Sequence, residues 1–227
     1  MFDAALTPLL LTLKVAAWAT LLATLAGVAA GALLARFDFV GRDVLDAILL
    51  LPMVMPPTVL GYYLLVAFGR RSAFGLWLES TLGIELVFTW QGAVVAAAVV
   101  AFPLVFKAAR AAFDSVEPDL EGAGRTLGYT ELTLFARVTL PLAWRGIAAG
   151  AMLAFARAMG EFGATLMVAG NIPGRTQTLS IAIYEAVYAG DDALANGLVV
   201  IASVACVVLL VAASGVIKRG HLRLQRL

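Results

Sequence analysis

The sequence predicts an all-α integral membrane protein with a single transmembrane domain, on three observations. Hydrophobic residues make up 62% of the 227 positions, mean hydropathy is +0.96, and only 14% of the residues are charged. Soluble globular domains are far less apolar than this. Five apolar runs each have about the 20 residues that a helix needs to cross a bilayer. They lie near residues 9–35, 45–68, 88–110, 142–168 and 193–217.

The charged and metal-binding residue types exclude several function classes. A net charge of +1 gives no indication of nucleic-acid binding. The single cysteine, Cys206, and the single histidine, His221, cannot build a disulfide framework or a metal cluster. No catalytic, cofactor-binding or metal-binding residue is therefore predicted.

The distribution of lysine and arginine predicts how the chain is oriented. Eleven of these residues fall on one side of the predicted spans, three fall on the other side, and two lie within spans. By the positive-inside rule, the side with eleven is cytoplasmic, so the N-terminus is expected outside and the C-terminus inside. The eleven are Arg36, Arg42, Lys107, Arg110, Arg125, Arg137, Arg145, Lys218, Arg219, Arg223 and Arg226; the three are Arg70, Arg71 and Arg175; the two are Lys14 and Arg157.

The second predicted span is rich in proline. Pro52, Pro56 and Pro57 prevent a straight helix, so the span must kink or break inside the membrane. A half-helix that restarts at Pro57 would point its positive end toward mid-membrane. Two interpretations stay open: a kink that only serves helix packing, or a segment that lines a transport pathway. The second interpretation would involve Pro56, Pro57, Thr58 and Gly61.

The segment between the second and third spans, residues 69–87, has an amphipathic pattern. It predicts an external surface helix whose Trp77 lies at the level of the lipid headgroups. Arg70 and Arg71 could anchor this helix at the interface, or attract an anionic substrate or a docking protein.

Residues 120–141 form a polar island between the long apolar runs 88–106 and 147–170. Gly128 can end a first short helix, and Thr130 can cap a second one. One interpretation is an amphipathic hairpin that lies on lipid. The other is a compact knob that contacts a partner outside the membrane. Four residues share one face of the first helix: Leu120, Ala123, Thr126 and Leu127.

The fourth predicted span contains two charged residues, Arg157 and Glu161. They are four residues apart, so we expect them to share one helix face and to pair. Charges within a membrane face the bundle interior or water. Either the pair is structural and fixes packing, or it contacts substrate together with Thr165. Three small residues allow another helix to approach closely: Gly160, Gly163 and Ala164. Beyond them, residues 170–178 predict an external turn and 179–189 a short amphipathic helix, with Asp191 and Asp192 capping the last span.

The polar island carries a family resemblance. Glu121, Ala123 and Gly128, followed by Val138-x-Leu140-Pro141, resemble the cytoplasmic EAA loop of ATP-binding-cassette (ABC) importer permeases. The resemblance implies that the loop, about residues 114–141, forms a coupling helix that docks into a groove of a separate ATPase subunit. Gly122-Ala123-Gly124 stands where relatives usually read Glu-Ala-Ala, and each glycine costs about 1 kcal/mol against alanine in a helix. The implied ATPase-coupling residues are Leu120, Glu121, Ala123, Gly124, Thr126, Leu127 and Gly128.

Four stretches sharpen the resemblance: residues 51–63, 88–93, 156–165 and 171–178 together resemble the molybdate permeases of this importer class. This implies a type I ABC importer permease fold in the bacterial cytoplasmic (inner) membrane. The implied partners are a second copy of the chain, two cytoplasmic ATPase subunits and an external molybdate-binding protein. The chain lacks the G-x-x-x-x-G-K-[ST] phosphate loop, so ATP and magnesium are expected on the ATPase and no cofactor on this chain, which is not expected to be an enzyme.

The sequence leaves two alternative functions open. Within the class, the chain could be a sulfate, thiosulfate or tungstate permease, because tetrahedral dianions differ chiefly in size. In another class, it could be an ion-coupled secondary transporter or a membrane-bound enzyme that uses Arg157 and Glu161 as a proton relay or catalytic pair. The lack of other ionisable partners within the spans, and of a visible inverted repeat, argues against this second alternative.

Overall fold

The computed structural model describes the backbone of residues 2–224 and the side chains of residues 5–209 and 211. Four of the eleven basic residues predicted to be cytoplasmic, Lys218, Arg219, Arg223 and Arg226, lie beyond the described side chains. The described chain forms α1 (Phe2–Arg36), α2 (Arg42–Val54), α3 (Pro57–Phe68), α4 (Ala73–Leu82), α5 (Trp90–Asp114), α6 (Pro118–Thr126), α7 (Glu131–Leu134), a π-helical turn (Phe135–Thr139), α8 (Leu140–Met159), α9 (Gly163–Ala169), α10 (Leu179–Tyr188) and α11 (Asp192–Leu224).

Among the described residues, four helical segments are long and apolar enough to cross a membrane. They are α1, α5, the continuous segment from Glu131 to Met159 that includes α8, and α11. The pair α2 and α3 passes the same test together and makes a fifth, broken span. The prediction of an all-helical membrane protein with about five spans is confirmed.

Helix α5 is the centre of the bundle, and α1 packs along one side of it. Two glycines four residues apart on α1 allow this contact. A Cβ atom on Gly27 would lie 2.9 Å from the backbone nitrogen of Phe106, and one on Gly31 would lie 3.0 Å from that of Arg110. Since backbone atoms cannot rotate away, only glycine permits this spacing.

Helix α8 packs on α5 in the same manner. A Cβ atom on Gly146 would lie 2.6 Å from the Cβ of Ala112, and one on Gly150 would lie 2.5 Å from the Cβ of Ala108. Both contacts of α5 therefore use a Gly-x-x-x-Gly spacing, which brings helix backbones together inside membranes. Helices α1, α5 and α8 therefore form a closely packed core. Of these, α5 and α8 are the two spans that residues 115–139 connect.

The second span breaks where its prolines predict. Helix α2 ends at Val54, α3 begins at Pro57, and the two axes are bent by 109°. Pro57 occupies the first turn of α3, where its missing N–H costs nothing. The expected break and the restart at Pro57 are confirmed.

The fourth span is also interrupted, which the sequence analysis did not predict. Helix α8 ends at Met159, residues 160–162 are not helical, and α9 begins at Gly163. The prediction that Arg157 and Glu161 share one helix face is therefore wrong, because Glu161 lies beyond the end of α8. The side chain of Glu161 instead accepts a hydrogen bond from the backbone N–H of Ala164 at 2.8 Å, which satisfies a free donor at the start of α9.

The segments between the spans form the predicted helices. Ser72 caps α4, with its hydroxyl accepting from the N–H of Gly75 at 2.8 Å, and Trp77 on α4 is half exposed. Helix α10 follows the turn at residues 170–178, and the carboxylate of Asp191 accepts from the N–H of Leu194 at the start of α11.

Helix α10 is fixed to α1 by one buried hydroxyl. Thr12 Oγ1 accepts a hydrogen bond from the N–H of Leu179 at 2.8 Å and donates to the carbonyl of Pro8 at 2.8 Å. Thr178, the residue in the N-cap position of α10, makes no such bond from its side chain. A residue of another helix, distant in sequence, therefore caps α10.

Two cations of α1 contact aromatic rings of neighbouring elements. The guanidinium carbon of Arg36 lies 4.9 Å from the ring centroid of Phe135, in the segment between α7 and α8. Nearer the start of α1, Lys14 Nζ lies 3.5 Å from the ring centroid of Trp90, the first residue of α5. Lys14 lies within the candidate span Ala5–Arg36, as predicted, and its charge is placed against the ring face of Trp90.

Candidate functional site

The knob, defined here as residues 118–139, consists of α6, α7 and the π-helical turn. Helix α6 ends at Thr126, and Gly128 turns the chain with a φ of +81°, a conformation that glycine adopts without strain. The hydroxyl of Thr130 then accepts from the N–H of Thr133 at 3.4 Å and caps α7. Two short helices joined at a glycine are confirmed.

The predicted ATPase-coupling residues divide into an exposed and an enclosed group. Leu120 and Leu127 are 44% and 75% exposed, which is unusual for leucine outside a lipid-facing surface. Ala123, Thr126 and Gly128 are exposed beside them. Glu121 and Gly124 are not part of this exposed face.

Gly124 is buried inside the knob. A Cβ atom there would lie 2.5 Å from Cδ1 of Leu134, a fully buried side chain of α7. Gly124 therefore lies at the contact between α6 and α7 and not on the exposed face, so it is left out of the docking surface proposed below. Gly122 differs from it, since a Cβ atom on Gly122 would have no neighbouring atom within 4 Å. Gly122 therefore serves no packing role that the structure shows.

Arg125 joins the two helices of the knob electrostatically. Its Nε donates to Glu131 Oε1 at 2.8 Å, and its Nη2 lies 3.5 Å from Glu121 Oε2. The hydrogen bond to Glu131 raises the pKa of Arg125 above its usual value; desolvation opposes this rise, and the attraction of Glu131 and Glu121 adds to it. Arg36 of α1 lies 3.8 Å from the same Glu131. These pairs are exposed, so each contributes little on its own.

Glu121 faces into the knob rather than outward. Its Oε1 accepts a hydrogen bond of 2.6 Å from the hydroxyl of Thr139, the last residue of the π-helical turn. The Glu121 side chain is 22% exposed and Thr139 only 4%. A cavity of 230 Å³, lined by both residues and by Arg36, lies beside this bond. Neither the role of Thr139 nor the π-helical turn is among the features predicted from the sequence.

The second candidate region is the contact between the two interrupted spans. A Cβ atom on Gly61 of α3 would lie 2.6 Å from the Cβ of Met167 and 3.0 Å from the Cα of Ala164. One on Gly163 would lie 3.0 Å from the Cβ of Pro57. The starts of α3 and α9 therefore lie directly against each other. The predicted close approach is confirmed at Gly163 and Ala164.

Gly160 does not take part in this contact. The nearest atoms to a Cβ placed on it are carbonyl oxygens of its own helix, Ala156 at 3.9 Å and Arg157 at 4.0 Å. Within the described part of one chain, no other helix therefore approaches Gly160, and its predicted contact with a helix of a second subunit stays a prediction.

Arg157, in the last turn of α8, pairs with Glu161 in the non-helical segment 160–162. Arg157 Nη1 lies 2.8 Å from Glu161 Oε2, while Oε1 of the same carboxylate caps α9. The Glu161 side chain is 1% exposed and that of Arg157 is 36% exposed. The carboxylate is thus buried, with Oε1 hydrogen-bonded and Oε2 held by ion-pair contact alone, and part of the guanidinium is left accessible.

The seven predicted pathway residues lie near one another but differ in exposure. Pro56, Pro57 and Thr58, at the start of α3, are exposed, and Arg157 is partly exposed. The remaining three are buried and cannot touch a solute in this conformation: Gly61, Glu161 and Thr165.

An aromatic strip, which the sequence analysis missed, continues from the interruption along α10. The ring centroids of Phe162 and Tyr184 are 5.1 Å apart, and those of Tyr184 and Tyr188 are 6.2 Å apart. Tyr188 is 85% exposed. Tyr184 and Tyr188 are four residues apart, and this spacing in the sequence indicates that they share one helix face. Among the described residues, no group of three His, Cys, Asp or Glu side chains could hold a metal ion.

Comparison with known proteins identifies close relatives in sequence. The ModB molybdenum transport system permease protein of Escherichia coli (strain K12) is 48% identical over 175 residues, which are 77% of this chain and 76% of that protein. ModB of Mycobacterium tuberculosis is 42% identical over 206 residues, 89% of this chain and 77% of that protein. The sulfate transport system permease protein CysT of Escherichia coli (strain K12) is 36% identical over 152 residues, 67% of this chain and 54% of that protein.

Solved structures show the same fold at low identity. The MetNI methionine ABC transporter in an inward-facing conformation gives a TM-score of 0.73 at 19% identity, covering 96% of this chain and 97% of that chain. A bacterial alginate ABC transporter in complex with its periplasmic protein gives 0.75 at 16% identity, covering 96% of this chain and 79% of that chain. The predicted ABC importer permease fold is confirmed.

A family model described as "binding-protein-dependent transport system inner membrane component" matches residues 23–224, most of the chain. With this match and with relatives more than 40% identical over most of its length, the chain belongs to the family of binding-protein-dependent transport system inner membrane components, the non-catalytic permeases that act with a separate binding protein and ATPase subunits.

Proposed function

We propose that this chain is the permease of an ATP-driven importer that brings molybdate into the cytoplasm. The assignment of molybdate as the substrate rests on the 48% identity to a molybdenum permease, against 36% identity to a sulfate permease. The assembly would contain two copies of this chain, two ATPase subunits and an external molybdate-binding protein. Family membership leaves no place for the secondary-transporter or membrane-enzyme alternatives.

The exposed face of the knob is the surface proposed to dock the ATPase. Leu120 and Leu127, with Ala123, Thr126 and Gly128 between and beside them, give an apolar patch on a short helix. A short amphipathic helix whose apolar face enters a groove is a common mode of protein recognition. This favours docking to a protein over the alternative of lying on lipid.

Movement of the knob has a continuous route to the broken second span. The knob connects α5 to α8, which are in close contact through Gly146 and Gly150. Helix α8 leads to α9, which lies directly against the start of α3. Displacement of the knob would therefore shift the start of α3, in the manner of rigid elements moving against each other.

The accessible part of the pathway region suits a transient contact with an anion. The start of α3 exposes Thr58, and the nearby Arg157 exposes part of its guanidinium. Because Glu161 neutralises most of the charge of Arg157, an oxyanion would be held weakly and released readily. Weak binding is what a transport route requires. The route would run between two copies of the chain.

The test is uptake of labelled molybdate into proteoliposomes that hold this chain with its ATPase, with ATP inside and the loaded binding protein outside. We expect ATP-dependent uptake that resists excess sulfate. Sulfate uptake in place of molybdate uptake would assign the chain to the sulfate permeases. This alternative is tested because the chain is 36% identical to the sulfate permease CysT. Uptake that does not depend on ATP would contradict the whole proposal.

A variant of the knob tests the docking surface in the same assay. Leu127→Asp places a charge in the apolar patch, and we expect it to lower both ATPase co-purification and uptake about tenfold or more, the usual effect of losing a central apolar contact. Leu76→Asp, on α4 at the other end of the bundle and 53% exposed, is the matched control. Equal behaviour of the two variants would contradict docking at Leu127.

A further inference from the structure

We infer that Glu121 and Thr139 form a joint that transmits displacement of the knob to α8, so that Glu121 acts as a positioning residue inside the permease and not as a contact to the ATPase. The inference rests on the proposed ATP-driven import. It concerns how the two helices of the knob are held to the span that follows.

The first observation is the bond itself. Thr139 Oγ1 donates to Glu121 Oε1 at 2.6 Å across 18 residues of sequence, and Thr139 is almost fully buried. A hydroxyl that donates to a carboxylate makes a short bond, about twice as strong as one between neutral groups. The carboxylate that the sequence suggests as an outward contact is thus committed to an inward one.

The hydrogen bond to Glu121 comes from the residue directly before the start of α8. Thr139 closes the π-helical turn Phe135–Thr139, and α8 begins at the next residue. A π-helical turn holds its residues less firmly than an α-helix and is frequent at functional sites. At the beginning of the same turn, the ring of Phe135 lies 5.7 Å from that of Phe113 in the last turn of α5. Glu121 therefore holds the side of the turn that leads into α8.

The Glu121–Thr139 bond is less exposed to solvent than the ion pairs of the knob. Arg125 and Glu131 join α6 to α7, and Arg36 joins Glu131 to α1, but the side chains of Arg125 and Glu131 are 49% and 61% exposed. Water and salt screen such pairs and weaken them. The Glu121–Thr139 bond is shielded by comparison, so it is the polar link that can pass a displacement on without first breaking.

The cavity beside the joint gives it room to move. Its 230 Å³ lie between the ends of α1 and α5, α6 and the π-helical turn. Close-packed interiors resist displacement, whereas an open volume allows a tethered element to shift. The joint can thus transmit a movement of the knob without forcing apart the α1–α5 contact.

The experiment uses the complete transporter in proteoliposomes with four permease variants: Thr139→Val, Thr139→Ser, Glu121→Gln and the Thr139→Val/Glu121→Gln double variant. Three quantities are measured: ATPase co-purification, ATP hydrolysis stimulated by the loaded binding protein, and molybdate uptake. For Thr139→Val we expect normal co-purification and hydrolysis, with uptake per ATP at least about fivefold lower, the effect of losing one hydrogen bond to a charged group. Thr139→Ser, which keeps the hydroxyl, should retain normal coupling. Thr81→Val, an exposed threonine of α4, is the matched control.

The double variant separates a joint from two independent roles. If the two residues act only through each other, the double variant should be no worse than Thr139→Val alone. Additive losses would overturn the inference, as would wild-type coupling in Thr139→Val. So would Glu121→Gln releasing the ATPase while Thr139→Val retains it, because that result would make Glu121 an ATPase contact. Absence of ATP-dependent uptake in the wild-type assembly would instead overturn the proposed function, and is recognised before any variant is compared.

Discussion

Replacing Gly61 with alanine tests whether α3 and α9 move as one unit. The added Cβ would lie 2.6 Å from the Cβ of Met167 and 3.0 Å from the Cα of Ala164. Carbon atoms in ordinary contact are about 3.5–4.0 Å apart. Because neither of the two opposing atoms can rotate away, the helices must separate by about 1 Å to restore that spacing. Overpacking of this kind costs about 1–3 kcal/mol, and the better helix propensity of alanine offsets about 1 kcal/mol of it.

We therefore expect Gly61→Ala to lower the stability of the purified transporter by about 0–2 kcal/mol and to lower molybdate uptake more than it lowers stability. Uptake should fall because the start of α3 no longer lies against α9. ATPase co-purification should be unchanged, since the knob is untouched. The assay is thermal unfolding together with uptake in proteoliposomes.

The matched control for this variant is Gly160→Ala. A Cβ at Gly160 has at least 3.9 Å of room and the backbone φ is −91°, which alanine adopts freely. This variant should behave as wild type within about 0.5 kcal/mol. If Gly61→Ala matches Gly160→Ala in both melting temperature and uptake, the reasoning that α3 and α9 are in tight contact is refuted.

Two further predictions concern single contacts. Gly122→Ala should stabilise α6 by about 1 kcal/mol, because its Cβ meets nothing, whereas Gly124→Ala should lose that gain against Leu134; thermal unfolding of both variants checks this, and equal melting temperatures would contradict it. Thr12→Val keeps the shape of the side chain but leaves the N–H of Leu179 without its buried acceptor, so unfolding should become easier by about 1–3 kcal/mol; an unchanged melting temperature would show that water or Thr178 replaces the hydroxyl.

The parts of the fold that depend on local chemistry could be predicted from the sequence. The prolines of the second span act through their own rings and missing N–H groups, so the break and the restart at Pro57 follow from neighbouring residues alone. Gly128 and Thr130 likewise define the turn of the knob, because a left-handed residue and a hydroxyl cap are local requirements.

The parts that depend on distant residues could not be predicted in the same way. The true place of Gly124 is hidden from the sequence because its contact with Leu134 exists only after the chain has turned at Gly128. The interruption after Met159 is concealed because Arg157 and Glu161 have a spacing that also suits a continuous helix.

One signal is present in the sequence but does not suffice alone. The pairs Gly27/Gly31 and Gly146/Gly150 have the spacing that brings membrane helices together. They identify α5 as the shared partner only when the order of the spans in space is known. Thr139 carries no such signal, because a threonine that ends a π-helical turn looks like any other helical threonine.

The length of α1 has a consequence for the membrane itself. Between Lys14 and Arg36 alone, the helix rises about 33 Å at 1.5 Å per residue, close to the thickness of about 30 Å of a bilayer's hydrocarbon core. The whole helix of 35 residues rises about 52 Å, so it must tilt or project beyond the hydrocarbon core at the end where Thr12 holds α10. A thicker bilayer would draw Lys14 away from Trp90 or reduce the tilt of the helix. Lipid chain length thus becomes a variable that acts on the outer end of the transporter.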